Sequence, residues 1–247
     1  MIKIEKTNVF GWEAAVRGLR NPMNSWDRID SDYLRTEDGH IIASRYEIGP
    51  NDMSLMKRLR NAGTDHRKYL RMIHVQADVT APLYWYKEYD TYKISTVANS
   101  CSTMHKIAAK EFDRGDFSHE HIPFGSDAYS DTYEIKTSDM FFCVNKEDEI
   151  YLSSEDILDF TIIALNHYRE KYLATKDKKY WWQMIQLLPT SYNQKRTIDL
   201  NYENLINMYH ARKNHKLDEW HDFCDWIESL PYAKELIIGG ELGKDTK

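Results

Sequence analysis

Hydroxyl and amide side chains crowd the stretch from Ser95 to Thr103, where they surround a single asparagine, Asn99. Such side chains hydrogen-bond to nearby backbone, so they prefer turns and helix caps to helix interiors. We therefore predict a loop that caps a following helix over residues 103–112. Free hydroxyl and N–H groups at a helix start can bind an anion. An ordinary polar turn between two helices is the alternative.

An aromatic segment precedes this loop. Pro82 suits the first turn of a helix, because it lacks the N–H that would be unpaired there and its φ is already helical. We predict that a helix starts at Pro82 and offers both apolar area and polar groups to a ligand. Its aromatic and charged side chains are Tyr84, Trp85, Tyr86, Lys87, Glu88, Tyr89, Asp90, Tyr92 and Lys93.

A second candidate for chemistry lies between Asn201 and Arg212. If one helix spans them, eleven steps of 100° bring the two side chains back to within about 20° of each other, three turns apart. One helix face would then offer an amide and a guanidinium to a long, flat ligand. The alternative is a helix N-cap asparagine and a surface arginine.

The rest of the sequence predicts the elements that position these residues. Alternation predicts an edge strand over residues 1–10 and a strand over 72–79, the latter with Ile73, Val75, Ala77 and Val79 on its buried face. Helices are predicted over residues 12–19, 53–61, 65–71 and 179–188, with residues 50–52 capping the second of them and Gly63 ending it. Ser153-x-x-Asp156 is a capping-box pattern that opens a further long helix. Residues 133–136 and 140–144 are candidate short strands.

Composition excludes several classes of protein. The net charge of -6 lacks the basic excess of a nonspecific DNA or RNA binder. No membrane span or signal-peptide core is evident, so we expect a soluble, cytoplasmic protein.

Three widely spaced cysteines indicate reduced thiols, and Cys101 has no sequence-evident base. His119-Glu120-His121 lacks a third ligand at a set spacing, so we expect a solvated loop and no metal site.

The aromatic helix and its loop resemble the flavin-dependent thymidylate synthase family. That family carries an aromatic helix after an Ala-Pro dipeptide, then an R-H-R motif, then N-E-x-S-x-R. Here Ala81-Pro82 opens the aromatic helix, and Asn99-x-x-Ser102 matches the asparagine and the serine. The R-H-R position holds Thr91-Tyr92-Lys93 or Tyr92-Lys93-Ile94.

The resemblance resumes near the C-terminus. The family has a Leu-Pro pair, a hydroxyl-rich turn, a V-N-x-R-x-L-x-x-F-L-x-L-R helix and an H-A-Q-W-E-like segment. After Leu188-Pro189, the residues that match the helix pattern in register are Leu200-Asn201, Leu205, Asn207 and Arg212. Residues 216–220 are a looser match to the last segment. Near the N-terminus, Arg20 with Ser25-Trp26-Asp27 is similar to a family segment that touches the flavin, and a plain capping loop is the alternative.

Cationic positions of the family pattern are absent. Ser100 replaces the glutamate after Asn99, Met104 replaces an arginine, Glu203 replaces another, and no arginine occurs over residues 184–187. A phosphate normally binds bidentate arginines or clustered N–H donors, so these changes put the usual nucleotide in question. The candidates to compensate are Lys87, Lys93, Lys195 and Arg196.

The resemblance implies an α+β fold, a twisted β-sheet with long flanking helices, as a single domain over residues 1–247. It implies a homotetramer that shares FAD and a pyrimidine deoxynucleotide between subunits. The reaction would be transfer of a one-carbon (methyl) unit from methylene-tetrahydrofolate to C5 of dUMP, with NADPH reducing FAD.

The resemblance also implies roles for individual residues. Arg212 is the catalytic candidate, because a guanidinium can polarise the pyrimidine as charge develops on it. The implied cofactor-binding residues are Ser25, Asn99, Asn201, Asn207 and Lys93. The implied substrate-binding residues are Glu88, Ser100, Ser102 and Arg212.

Other functions fit the same residues. One is pyrimidine hydroxymethylation, or action on a different nucleotide. Another is a non-catalytic flavin- or nucleotide-binding protein on the same scaffold. A third is an unrelated helical structural protein whose 17 tyrosines and 7 tryptophans form interfaces.

Overall fold

The computed structural model describes residues 2–130, 132–136 and 149–239. The chain divides into two compact units, which we call the first unit (residues 81–86 and 101–194) and the second unit (residues 2–80, 87–100 and 195 onward). The single domain over residues 1–247 stays a prediction. The predicted strand over residues 140–144 lies outside the described residues.

Strands and helices are interspersed along the chain. The strands are β1 (Lys3–Phe10), β2 (Asp32–Arg35), β3 (Ile41–Glu47), β4 (His74–Pro82), β5 (Val97–Ser100), β6 (Tyr133–Lys136), β7 (Glu149–Leu152) and β8 (Asn193–Asn201). The α-helices are α1 (Trp12–Arg20), α2 (Pro50–Asn61), α3 (Leu83–Tyr89), α4 (Thr103–Lys106), α5 (Ser154–Thr175), α6 (Lys178–Leu187), α7 (Tyr202–Arg212) and α8 (Asp218–Glu228). Short 3₁₀ turns span Asn21–Met23, Trp26–Arg28, Arg67–Met72, Arg114–Asp116 and Gly125–Ser130, and a π-helical turn spans Lys234–Ile238.

A four-stranded sheet with the strand order β1-β4-β8-β5 forms the centre of the second unit. β1 lies at its edge, as predicted, and pairs antiparallel with β4. Ile73, just before β4, and Val75, Ala77 and Val79 within it are all buried, which confirms the face that the alternation predicted. The hairpin β2-β3 forms a separate two-stranded sheet.

Aromatic side chains pack against one another among the helices of the second unit. Trp12 of α1 makes edge-on contacts with Tyr202 and Tyr232, at centroid distances of 5.2 and 5.3 Å. Trp220 and Phe223 of α8 are fully buried and contact each other edge-on. Packing of amphipathic helices, more than local propensity, therefore stabilises this unit.

The start of α2 depends on a residue far away in the sequence. The side chain of Asp30 accepts hydrogen bonds from the N–H groups of Asn51 and Asp52, at 2.7 and 2.9 Å. A Cβ on Gly49 would lie 2.3 Å from Cγ of Asp30, so only glycine allows this approach. α2 begins at Pro50, so the prediction that residues 50–52 cap it was wrong, whereas Gly63 follows its end at φ 106°, as predicted.

The first unit is built around α5 and α6. Ser153 and Asp156 form the predicted capping box at the start of α5. Buried apolar side chains of these helices pack against the segment that precedes them, and together they form one core. Its buried members are Ile107, Ala108, Phe112, Phe117, Leu158, Leu165 and Met184.

Several boundaries differ from the predictions. Pro82 ends β4, so the aromatic helix α3 begins at Leu83, where its first N–H groups donate to the carbonyls of Tyr192 and Thr190. The predicted loop around Asn99 contains β5, and the helix after it, α4, ends at Lys106 rather than at residue 112. β8 was not predicted. None of the described helices is long and apolar enough to cross a membrane.

Candidate functional site

Arg212, the last residue of α7, is held by two side chains of the second unit. Its Nη1 donates to Oε2 of Glu88 at 2.7 Å, and its Nε donates to the hydroxyl of Tyr92 at 2.9 Å. The guanidinium also lies 4.9 Å from the ring centroid of Trp220 and 5.6 Å from that of Tyr92. Two cation–π contacts and two hydrogen bonds thus orient this side chain.

Glu88 connects this cluster. Its Oε2 also accepts from Nε1 of Trp220 at 2.9 Å and contacts Nε2 of His215 at 3.2 Å. Nδ1 of His215 accepts from the N–H of Leu217, so the ring proton is on Nε2 and points at Glu88. We call Glu88, Tyr92, Arg212, His215 and Trp220 the Arg212 cluster.

A small pocket of about 220 Å³ borders Tyr92. It is lined by Tyr89, Asp90, Tyr92, Lys93, Thr96 and Ala98. Burial raises the pKa of the Tyr89 phenol, so this side chain contributes a neutral group to the lining. Asn204 of α7 donates to the carbonyl of Ile94 at 2.9 Å, which ties the pocket loop to the helix that carries Arg212. Tyr92 therefore both lines this pocket, together with Lys93, and bonds Arg212.

Asn201 lies outside the helix that was predicted to include it. It is the buried N-cap of α7: its side chain accepts from the N–H of Asn204, and the side chain of Asn204 accepts from its N–H. The inference that Asn201 and Arg212 share one helix face was therefore wrong, because the amide oxygen is used by the cap. Asn207 lies on α7 itself and is exposed.

The other predicted site residues lie on separate elements. Asn99 and Ser100 are exposed on β5, opposite Thr197 and Arg196 of β8. Ser102, in the first unit, caps α4 by accepting from the N–H of His105 at 3.1 Å. Among the described residues of the second unit, no hydrogen bond joins Asn99 or Ser100 to the Arg212 cluster.

Ser25 and Arg20 have different surroundings from those expected. Ser25 is buried, and no hydrogen-bond partner for its hydroxyl occurs among the described residues. Arg20 is buried and bound by Oδ1 of Asp52 through Nε at 2.8 Å and Nη2 at 2.5 Å. The hydroxyl of Ser25 is thus buried without a partner among the described residues, whereas the Arg20 side chain is engaged within the fold.

Ion pairs engage two of the four cations that were candidates to bind phosphate. Arg196 pairs with Asp90 at 2.7 Å, and Lys195 pairs with Asp78 at 3.1 Å. Glu203 is buried in the first turn of α7, where it pairs with Arg67 and Arg71. The acidic residue at this position therefore has a role in the fold. Lys87 and Lys93 are exposed.

The histidine-rich segment makes local contacts. Nδ1 of His119 lies 2.8 Å from the carbonyl of Phe117, and Glu120 accepts from the hydroxyl of Ser118 at 2.8 Å. Over residues 2–130, 132–136 and 149–239, no group of three His, Cys, Asp or Glu side chains could hold a metal ion.

The sequence missed two members of the Arg212 cluster. Trp220 ended the segment, residues 216–220, that was considered only a loose match to the family pattern. His215 came just before that segment, and neither residue was given a role. His215 follows Arg212 by three residues, and Trp220 is a fully buried aromatic residue just beyond it. Their proximity to Arg212 in the sequence was the available signal.

No known protein family matches the sequence, and neither does any curated protein. Solved structures do match. Thymidylate synthase X (ThyX) from Helicobacter pylori, solved with FAD and dUMP, is 16% identical, with a TM-score of 0.60 over 96% of this chain and 97% of that one. A second structure of that enzyme with FAD and dUMP has a TM-score of 0.59 at 16% identity, over 98% and 100% of the chains.

The chain has a ThyX-like fold. A UMP/dUMP methylase, PolB from Streptomyces cacaoi, bound with 5-Br dUMP, shares it at 15% identity, with a TM-score of 0.54 over 96% of this chain and 95% of that one. The ThyX-like fold confirms the predicted class, a mixture of helix and sheet with long helices. At these identities the likeness establishes the fold alone.

Proposed function

We propose that this protein is a flavoenzyme that modifies C5 of a pyrimidine deoxynucleotide such as dUMP. In its specific form, the reaction is one-carbon (methyl) transfer from methylene-tetrahydrofolate, with NADPH as reductant. One observation carries the proposal: the ThyX-like fold spans nearly the whole chain and is shared by two enzymes whose structures hold dUMP or 5-Br dUMP. The proposal includes a homotetramer in the cytoplasm.

The residues present fit a flavin. A flat, polar-edged ring system needs amide and hydroxyl partners beside aromatic surface. The buried hydroxyl of Ser25 lacks a partner among the described residues, and Asn99, Asn207 and Lys93 are exposed. We propose that these residues hold FAD, and that Asn201 contributes indirectly as the cap of α7. FAD, when bound, would supply the hydride and relay the one-carbon unit.

Arg212 is the proposed catalytic residue. No described residue bonds Nη2 of its guanidinium, so that edge can donate to a pyrimidine oxygen. A fixed cation beside developing negative charge lowers the barrier by a few kcal/mol when water is excluded. Glu88 and Tyr92 fix the guanidinium in place, so we propose that they position Arg212.

Phosphate binding is where the chain diverges from its family pattern. Each charge-assisted contact to phosphate contributes roughly 1.5–3 kcal/mol, and Arg196 and Lys195 already have carboxylate partners. We therefore propose that dUMP binds weakly, or that another pyrimidine nucleotide is preferred; Ser100 and Ser102 remain proposed substrate contacts. These ion pairs also favour the second candidate, a non-catalytic flavin- or nucleotide-binding protein on this scaffold.

The test begins with flavin. The purified protein should show flavin absorbance or a raised unfolding temperature on incubation with FAD. A colourless protein without a thermal shift would refute the flavoenzyme and the flavin-binding form of the second candidate. Titration of dUMP, dCMP and their nucleosides into the FAD-loaded protein then identifies the substrate class.

The role of Arg212 needs its own variants. Arg212→Ala should weaken pyrimidine binding by about tenfold to a hundredfold, because a charge-assisted contact of about 1.4–2.7 kcal/mol is lost. Lys213→Ala removes a neighbouring exposed cation and should leave binding unchanged. Equal affinities in both variants would refute the role given to Arg212. Methyl transfer from labelled methylene-tetrahydrofolate distinguishes the enzyme from the binding protein.

A further inference from the structure

A pocket of about 500 Å³ lies in the second unit, between the β2-β3 hairpin and the junction where β1 ends and α1 begins. Its size falls in the roughly 300–1,000 Å³ range of small-molecule sites. We call it the tyrosine pocket, after the two tyrosines that the hairpin contributes. Its aromatic and charged lining residues are Phe10, Trp12, Glu13, Arg17, Tyr33 and Tyr46.

Four aromatic rings line the tyrosine pocket. Tyr33 and Tyr46 are partners across the paired strands β2 and β3, and their rings meet edge to face at a centroid distance of 4.9 Å. Trp12 is buried, whereas Phe10 is 40% exposed and stacks on His74 at a centroid distance of 5.5 Å. The pocket therefore has apolar surface that a ligand with a ring can cover.

Hydrogen bonds hold both tyrosines of the hairpin. The hydroxyl of Tyr33 donates to Oε2 of Glu13 at 3.0 Å, which connects β2 to the first turn of α1. The hydroxyl of Tyr46 donates to the carbonyl of Ser31 at 3.3 Å. Neither ring needs a ligand to fix its orientation, so the site is formed in advance, as most small-molecule sites are.

The charged residues in the lining are one carboxylate and one guanidinium. Glu13 and Arg17 are one turn apart on α1, and Nε of Arg17 lies 3.5 Å from Oε1 of Glu13. Both side chains are exposed and the contact is long, so this ion pair can rearrange at little free-energy change. Over the residues that the structure describes, Nη1 and Nη2 of Arg17 have no hydrogen-bond partner. Both charged groups can therefore bind a ligand.

The balance of these two charges indicates the ligand class. A purely anionic ligand would be repelled by Glu13, and a purely cationic ligand would be repelled by Arg17. A zwitterion suits both side chains, because its carboxylate can accept from the two Nη groups and its ammonium group can donate to Oε1 of Glu13.

We infer that the tyrosine pocket binds a free amino acid with an aromatic side chain. Arg17 would bind its carboxylate and Glu13 its ammonium group, while the rings of the pocket would contact its side chain. The inference is independent of the proposed function, because it uses no residue assigned there.

The experiment titrates four compounds into the full-length protein by calorimetry. L-phenylalanine has all three features, L-phenylalaninamide lacks the carboxylate, 3-phenylpropionate lacks the ammonium group, and L-alanine lacks the ring. Glu13→Gln and Arg17→Gln are compared with Glu47→Gln and Arg45→Gln, which remove exposed charges of β3 outside the pocket lining. Thermal unfolding verifies that each variant is folded.

L-phenylalanine should bind, and each of the other three compounds should bind about tenfold or more weakly. Arg17→Gln should weaken L-phenylalanine about tenfold and leave L-phenylalaninamide unchanged, because that compound has no carboxylate. Glu13→Gln should weaken L-phenylalanine similarly and leave 3-phenylpropionate unchanged. The two β3 variants should bind within about twofold of wild type. L-phenylalanine should also slow modification of Arg17 by phenylglyoxal, and not that of Arg45, as measured by mass spectrometry.

Several outcomes would overturn the inference. One is that L-phenylalanine neither binds nor protects Arg17, and another is that Glu13→Gln and Arg17→Gln bind it as wild type does. Equal affinity for L-phenylalaninamide or 3-phenylpropionate would remove the role of the paired charges, and equal affinity for L-alanine would remove that of the rings. Flavin binding and the effect of Arg212→Ala are measured separately, so failure here leaves the proposed function intact.

Discussion

Two of the arginine–carboxylate pairs in the second unit lie in contrasting surroundings, Arg20 with Asp52 and Arg212 with Glu88. Asp52 is fully buried, and both of its oxygens are occupied: Oδ1 by Arg20, and Oδ2 by the N–H groups of Asp30 and Ser31 and the hydroxyl of Ser31. The side chain of Glu88 is 33% exposed, and the donors all meet Oε2. No described residue bonds its Oε1.

This difference separates a structural pair from one that a ligand can use. A buried charge that loses its partner is strongly destabilising, so the Arg20–Asp52 pair stabilises the fold only while it is complete. An exposed pair exchanges bonds with water at little free-energy change. Arg212 can therefore turn one edge toward a ligand while Glu88 and Tyr92 hold the others.

The largest expected effect is on stability, in Asp52→Asn. The substitution keeps the size of the side chain and leaves Arg20 buried without a counter-charge, so the free energy of unfolding should fall by about 3–5 kcal/mol. Urea unfolding measures it. The control is Asp32→Asn, because the Asp32 side chain is 69% exposed and its pair with Arg35 contributes less than about 1 kcal/mol. Similar losses in the two variants would contradict the comparison.

Acid should weaken the same pair. Burial raises the pKa of Asp52, but hydrogen bonds from Ser31, Arg20 and Asp30 outweigh burial and hold this pKa below its ordinary value. Because the folded-state pKa is depressed, the stabilisation is complete above the unfolded pKa of about 3.9 and is lost as pH falls through the folded-state pKa.

The slope from this one group is at most about 1.4 kcal/mol per pH unit. The free energy of unfolding of wild type and of Asp52→Asn is measured between about pH 6 and pH 2. The difference between the two proteins should shrink as the pH falls, because contributions from other carboxylates are the same in both and cancel. A difference that stays constant down to the lowest pH would mean that Asp52 does not titrate as argued.

Glu88→Gln should give the smallest stability change. Its main effect should be on ligand affinity. Because Glu88 is partly exposed, the free energy of unfolding should change by about 1 kcal/mol or less. Pyrimidine affinity in the FAD-loaded protein should fall by about tenfold, because Arg212 loses its charged partner and its fixed orientation. The control is Glu228→Gln, whose carboxylate accepts from the hydroxyl of Tyr209. If both variants bind alike, Glu88 does not position Arg212.

The local elements could be read from the sequence because their signals are local. Alternation gave the buried face of β4, the Ser153 and Asp156 pattern gave the start of α5, and Gly63 gave the end of α2. β5 lacked such a signal, since its four residues are all exposed and it exists by pairing with β8. β8 was obscured by polar residues at buried positions, including Gln194.

The sequence by itself determined the buried face of the central strand, because alternation is a property of neighbouring residues. Its resemblance to a known family implied the fold class and the choice of Arg212 as a candidate. Only the tertiary structure decided how the charges are used. Arg212 and Glu88 are 124 residues apart and Arg20 and Asp52 are 32 apart, so their pairing depends on how helices pack. No spacing rule connects residues so far apart in the sequence. The sequence alone therefore does not decide whether an arginine contacts a ligand or forms part of the core.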